Sequence, residues 1–160
     1  MAARASGKLR VFFRYPVFVK VWFLPVLLGL GIARLAILTI SFKRLVPRLG
    51  VSVGISPWVP LLDGRQKYRA RMIGQVIRLS ARYTPWNSNC FPQAIVASVM
   101  LGLYRVPYCL FFGVRRSSAT GAFDAHAWVA AGRVRVIGGL GFDKYTVVGV
   151  FVSRQLTQSN

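Results

Sequence analysis

Residues 90–105, CFPQAIVASVMLGLYR, restrict the fold more than any other segment. Ile95, Val96, Val99, Met100 and Leu101 cover most of a helix circumference, so a helix here has no polar side to turn to water and must be buried. Pro92 suits its first turn, where a missing N–H costs nothing, and Gly102 and Pro107 bracket its end. A buried helix needs other layers around it. Residues 66–83 supply one: Met72, Val76, Leu79 and Tyr83 recur at helical spacing, with Ile73 and Ile77 beside them and arginines opposite. After Pro107 the period changes. Residues 108–114, 125–131, 133–137 and 145–152 are aromatic and β-branched, and Gly132 marks a hairpin. Helices first and an antiparallel sheet after them make an α+β fold.

At 160 residues one main domain is expected, large enough to hold a core without disulfides or metal. Residues 1–45 read as a basic arm and a hydrophobic helical segment, and residues 46–160 as the domain itself. Residues 15–49 form one long helix or two short ones, broken or kinked near Pro25 and ended by Pro47 and Gly50. Residues 51–64 are a connector, 115–122 a flexible loop and 138–141 a glycine-rich bend. The uncharged run 21–33 lies between Lys20 and Arg34. It reads as a helix packed on the domain or lying in a membrane interface, with a bilayer span or a signal peptide as alternatives. Arg34 in mid-segment makes a clean span costly.

The charge is one-sided. There are 22 Lys and Arg against 3 acids, for a net charge of +19, and no Glu at all. The acids are Asp63, Asp124 and Asp143, the only histidine is His126, and the cysteines are Cys90 and Cys109. Paired-carboxylate glycoside hydrolysis and a four-ligand Cys/His zinc site find too few residues here. The apolar content, 54%, excludes a disordered chain. The basic excess fits nucleic acid, an anionic membrane or an acidic peptide. Two cysteines do not make a disulfide scaffold and are expected as reduced thiols in the cytoplasm.

Cys90 falls at the start of the buried helix. Backbone N–H groups and the helix dipole favour its thiolate there and can hold an oxyanion, as a nucleophile requires. Cys109 lies inside an apolar strand and is expected to be structural. His126, Trp128 and Ala130 share one strand face, where Trp128 can wall the imidazole from water. A cysteine on a helix N-terminus and a histidine on a later strand is the layout of papain-like thiol enzymes. Gln93 either ties down the preceding loop or assists the oxyanion. Trp86 is either a groove wall or core.

PWNSNCFPQA at 85–94, LGLYRVPYCLFFGVRR at 101–116, FDAHAWVAAGRVRVIGG at 123–139 and Tyr145 resemble the B proteins of lasso peptide biosynthesis, leader-removing cysteine proteases of the transglutaminase-like superfamily. The resemblance spans residues 44–151. Its most specific parts are Ser88, Cys90, Gln93 and Ala94, and the block His126–Val129. It implies a papain- or transglutaminase-like core with Cys90 as nucleophile and His126 as base. It also implies a precursor peptide with its leader as substrate, a separate leader-recognition protein and a macrolactam-forming cyclase. No cofactor is required, and ATP dependence would follow from the resemblance alone. The basic surface then suits an acidic leader near an anionic inner membrane, touched through residues 21–42, better than nucleic acid. An acyltransferase using the same pair, or a non-catalytic basic binding protein, are the competing readings.

Family members commonly carry an acid about a dozen residues past the histidine. With the hairpin turn centred on Gly132, His126 faces position 138, which is glycine. Asp143, after the glycine-rich bend, is the first candidate for the third member. Asp124, two residues before His126, is the second, and Asp63 is last. A backbone carbonyl in place of an acid completes the options.

Overall fold

The computed structural model describes residues 14–157 apart from 57, 87, 117–120 and 140–141. All but the last residue of the expected basic arm at 1–14, the middle of the expected loop 115–122 and part of the glycine-rich bend lie outside them. Ten main elements follow in order: α1 (Val17–Thr39), α2 (Phe42–Leu45), β1 (Val51–Ser52), α3 (Gly64–Ala81), α4 (Cys90–Leu103), β2 (Cys109–Arg116), β3 (Phe123–Ala131), β4 (Val134–Ile137), β5 (Thr146–Val152) and α5 (Arg154–Thr157). The α+β architecture is as the sequence implies.

The apolar segment at 90–103 is a helix and sits at the centre. Ala94, Ala97, Met100 and Leu101 of α4 are buried, and α4 packs against α1, α3 and the β3–β4 part of the sheet. Its cover is not complete. Val99, on an apolar groove that α1 and α4 leave between them, is 60% exposed, and Leu103 near the end of the helix is open as well.

Helix α3 starts at a capping box. The Asp63 carboxylate accepts from the Gln66 N–H at 2.7 Å, and the Gln66 side-chain oxygen accepts from the Asp63 N–H at 3.1 Å. Two backbone donors that no helical bond could reach are satisfied together. Ala70, Ile73, Val76 and Ile77 then face the core. Asp63 is thus a helix cap.

Of the expected alternatives at Pro25 the break is not found: helix α1 runs unbroken past it. Packing holds it: Val19, Val26, Leu30 and Ala33 are buried. The Trp22 indole N–H donates to the Tyr104 hydroxyl at 2.7 Å, and the buried Ser80 hydroxyl donates to the Phe23 carbonyl at 3.1 Å. These contacts outweigh the one helical bond that Pro25 removes. The α-helical part of the stretch stops at Leu45, just ahead of Pro47, and a short 3₁₀ segment, Val46–Arg48, carries the chain to Gly50, as expected.

The sheet is antiparallel with order β1-β5-β2-β3-β4. Its edge β1 comes from the expected connector, with Val51 opposite Val152. The β3–β4 hairpin turns through two residues, Gly132 and Arg133, so Ala131 faces Val134. A register shift then places Val129 opposite Ile137. Alternation along β3 sends Ala127, Val129 and Ala131 into the core with α4. On the other face Cys109, Val150 and Val152 form a second small cluster.

Asp63→Ala is expected to remove the α3 cap and cost about 1 kcal/mol. Urea unfolding should show a lower midpoint with an unchanged slope.

Candidate active site

The loop before α4 is tied by its own side chains. The Ser88 hydroxyl donates to Thr84 Oγ1 at 3.0 Å, and the Thr84 hydroxyl lies 3.0 Å from the carbonyls of both Ala81 and Trp86. From inside the helix, the Gln93 amide donates to the Ser88 carbonyl at 2.6 Å. Gln93 therefore fastens the loop, and its amide also lines the cavity described below. Trp86 leans on α1, where a Cβ at Gly31 would stand 3.0 Å from its ring; it belongs to the packing. These ties fix where α4 begins, and Cys90 is its first residue. The orphan N–H groups of a helix start surround such a position.

Cys90 opens onto a cavity of about 510 Å³. His126, Gln93, Arg78, Arg135 and Gly138 line the same cavity. Cysteine and histidine, 36 positions apart in sequence, are thus brought to one hollow between α4 and the β3–β4 hairpin. Arg78 reaches it from α3, donating to the Val136 carbonyl at 2.6 Å. Desolvation along this wall, and then Arg82, lower the Arg78 pKa from its ordinary value.

The imidazole is held by a carbonyl. His126 Nε2 lies 2.9 Å from the Gly138 oxygen. A carbonyl only accepts, so this nitrogen carries the proton and Nδ1 is left with its lone pair. Rings restrain it further. Tyr145 stacks on His126 at 4.9 Å between centroids and Trp128 at 5.9 Å, and Phe111 stacks behind Trp128 at 5.4 Å. Gly113 pairs with His126 across β2–β3. A Cβ there would come within 2.9 Å of both Trp128 and Tyr145, so a glycine lets the two rings close in.

The hairpin reading needs correction. The two-residue turn and the later register shift leave Gly138 short of His126, so that it lies against Ala127 and Trp128. Its φ is +70°, and a Cβ would stand 2.6 Å from the Ala127 oxygen. No side chain fits, and the main chain supplies the acceptor instead. Among the described residues no carboxylate bonds to His126. Asp143, the first candidate, is exposed on the 3₁₀ turn Phe142–Lys144 and makes no hydrogen bond to the ring.

Asp124 reaches the histidine at one remove. It lies opposite Arg115 across the β2–β3 ladder. One carboxylate oxygen accepts from the Tyr145 hydroxyl at 2.7 Å and from Arg115 at 2.9 and 3.2 Å. The Arg115 guanidinium also lies over the Tyr145 ring at 4.9 Å. The Tyr145 bond first, and Arg115 after it, hold the Asp124 carboxyl below the usual carboxylate range. The same bond raises the Tyr145 hydroxyl. Asp124 thus anchors the ring that lies on the imidazole. Sequence reasoning missed Tyr145 and Gly113 as parts of the site. A lone glycine in the strand CLFFGV was the available signal for Gly113.

Cys109 is the other kind of cysteine. It is fully buried, its thiol meets the Trp58 carbonyl at 3.2 Å, and burial pushes its pKa up to about 12. Such a thiol stays protonated and unreactive. Among the described residues no group of three or more His, Cys or Asp side chains is placed to hold a metal.

A cysteine at the start of a buried helix and a histidine bonded to the Gly138 carbonyl thus line one cavity. The chain belongs to the transglutaminase-like superfamily, whose family model matches residues 36–150, well over half of the chain. That superfamily includes cysteine peptidases and acyltransferases. Neither a curated protein nor a solved structure matches the chain.

With a folded pKa below the unfolded value, the Asp124 clasp stabilises the fold fully above the unfolded pKa near 4 and is lost as pH falls through the lower folded value. Tyr145→Phe removes the main cause, so the Asp124 carboxyl should titrate closer to the ordinary range. Carbon-detected NMR resolves this readily with three side-chain carboxyls in the chain. Gly138→Ala should cost about 1–3 kcal/mol of backbone strain before its clash is counted, read as a lower melting temperature and slower alkylation of Cys90.

Proposed function

We propose that Cys90 and His126 form the catalytic pair of a cysteine peptidase that removes the leader from a ribosomally made lasso peptide precursor. The observation that carries this reading is their shared cavity, with Cys90 at the helix start and His126 held in one tautomer by Gly138.

The chemistry follows from that geometry. With Nε2–H engaged by Gly138, Nδ1 is the nitrogen free to take the thiol proton. The Cys90 sulfur attacks the carbonyl carbon at the end of the leader. The oxyanion forms beside the N–H groups at the start of α4. The imidazolium returns its proton to the leaving amine, which departs on the core peptide. Water, deprotonated by the imidazole, then hydrolyses the thioester and frees the leader as an acid. In this reading the carbonyl of Gly138 does the orienting usually given to an acid, while Tyr145 and Asp124 keep the ring in place. An orienting group of this sort fixes the tautomer, and charge on it is helpful to a thiolate–imidazolium pair without being indispensable.

Arg78 and Arg135 on the cavity wall suit acidic segments of a leader. A separate leader-recognition protein would deliver the precursor, and a cyclase would join the freed amine to a side-chain carboxylate.

The test is cleavage of a candidate precursor with its leader-binding partner, followed by mass spectrometry. Cys90→Ala should abolish cleavage, and His126→Ala should slow it by about 10²-fold or more. Asp143→Ala should leave the rate intact, whereas Tyr145→Phe should slow it. Full cleavage by Cys90→Ala would sink the proposal. Transfer of the acyl group to an added amine with little hydrolysis would show an acyltransferase instead.

A further inference from the structure

Helix α1 presents water with the wrong face. Val17, Val21, Leu24, Leu28, Ile32, Leu35 and Leu38 are all well exposed. At 100° per residue they fall within an arc of about 120°, and the arc contains no acid. On the opposite side Val19, Val26, Leu30 and Ala33 are 0–3% exposed, sealed against the core. An ordinary surface helix has the reverse order, apolar inward and polar outward. Val99 and Leu103 of α4 extend the same open patch across the groove beside α1. A patch of this kind marks an interaction surface.

Charge says what meets it. Residues 1–62 contain nine Lys and Arg and no acid. Among the described ones, Arg14 is exposed just before α1, and Lys43, Arg44 and Arg48 are exposed just beyond it. Lys20 and Arg34, the helix's own cations, lie at one margin of the apolar arc. An apolar stripe with cations at both ends and along a margin matches an anionic lipid surface, with side chains in the acyl boundary and cations at the headgroups.

The helix is also long and apolar enough to cross a bilayer by length and composition. Crossing, however, would strip Val19, Val26, Leu30 and Ala33 from the core and break the Trp22–Tyr104 bond. We infer that α1 is an in-plane anchor that docks this protein on an anionic membrane surface while its inner face stays packed on the domain.

The test is co-sedimentation of the full chain with vesicles of phosphatidylcholine alone or mixed with phosphatidylglycerol. Strong binding is expected to the mixed vesicles only, falling steeply with added salt. Leu28→Glu and Ile32→Glu alter side chains already in water, so circular dichroism melts should be unchanged while binding drops about tenfold or more. Lys43→Glu with Arg44→Glu leaves the apolar stripe whole and should weaken binding to the mixed vesicles. Trypsin should cut at both ends of α1 on bound, intact vesicles. Several results would overturn the inference: no binding to mixed vesicles, equal binding by the Glu variants, or protection of one helix end until detergent is added, which marks a span. A soluble dimer that Leu28→Glu separates, without vesicle binding, would assign the stripe to a second copy of the chain.

Discussion

Everything in this fold is arranged around the need to enclose α4. Its Ala94, Ala97, Met100 and Leu101 make a buried side that is apolar but for the Ser98 hydroxyl, so α1, α3 and the sheet close on it together. That enclosure also sets the chemistry. A helix fixed by packing along most of its length has a fixed first turn, and the loop bonds from Thr84, Ser88 and Gln93 finish the job. Cys90 is held in register with the hairpin by the same forces that stabilise the core.

The histidine side of the site shows how a chain short of acids orients an imidazole. A carboxylate in the hairpin would need a side chain at the position alongside the ring, but the close approach of β4 to β3 leaves room only for main chain at Gly138. The hairpin therefore offers a carbonyl. A neutral acceptor fixes the tautomer as a carboxylate would but adds less to the stability of the imidazolium. The aromatic stack is the counterpart. Tyr145 is braced by Asp124 and Arg115, and this charge pair at the sheet rim is connected to the imidazole through a ring. In this arrangement Asp124 restrains the geometry of the ring, and its charge acts on the imidazole from a distance.

The long apolar helix, the amphipathic helix before it and the aromatic strands were legible because each is a local periodic pattern. Cys90 at a helix start and His126 on a strand with Trp128 followed from the same patterns. The acid was not legible. Its placement depended on a hairpin turn of two residues, and on a register shift between Val129 and Ala130 that no local pattern announces. One residue of slip moves every later side chain to a different neighbour. The same limit hid Tyr145, which meets His126 only through the β2–β5 pairing, and the edge strand at Val51, too short for any period. Pro25 misled for another reason: helix propensity is local, whereas the contacts that carry α1 past it come from Ser80 and Tyr104.

Membrane docking and catalysis impose compatible demands on α4. Cys90 and Val99 are nine residues apart, which is about 14 Å along the axis and half a turn around it. Cys90, on the cavity at the start of the helix, and Val99, on the apolar groove near its end, therefore leave α4 on opposite sides. A protein lying on lipid through α1, Val99 and Leu103 would keep the mouth of the cavity turned to water, where a peptide can enter. The basic residues divide in the same way: Arg14, Lys43 and Arg44 flank the lipid-facing helix, whereas Arg78 and Arg135 line the cavity. On the two proposals together, the fold gives one strongly positive chain two separate sets of cations, one for each anionic partner.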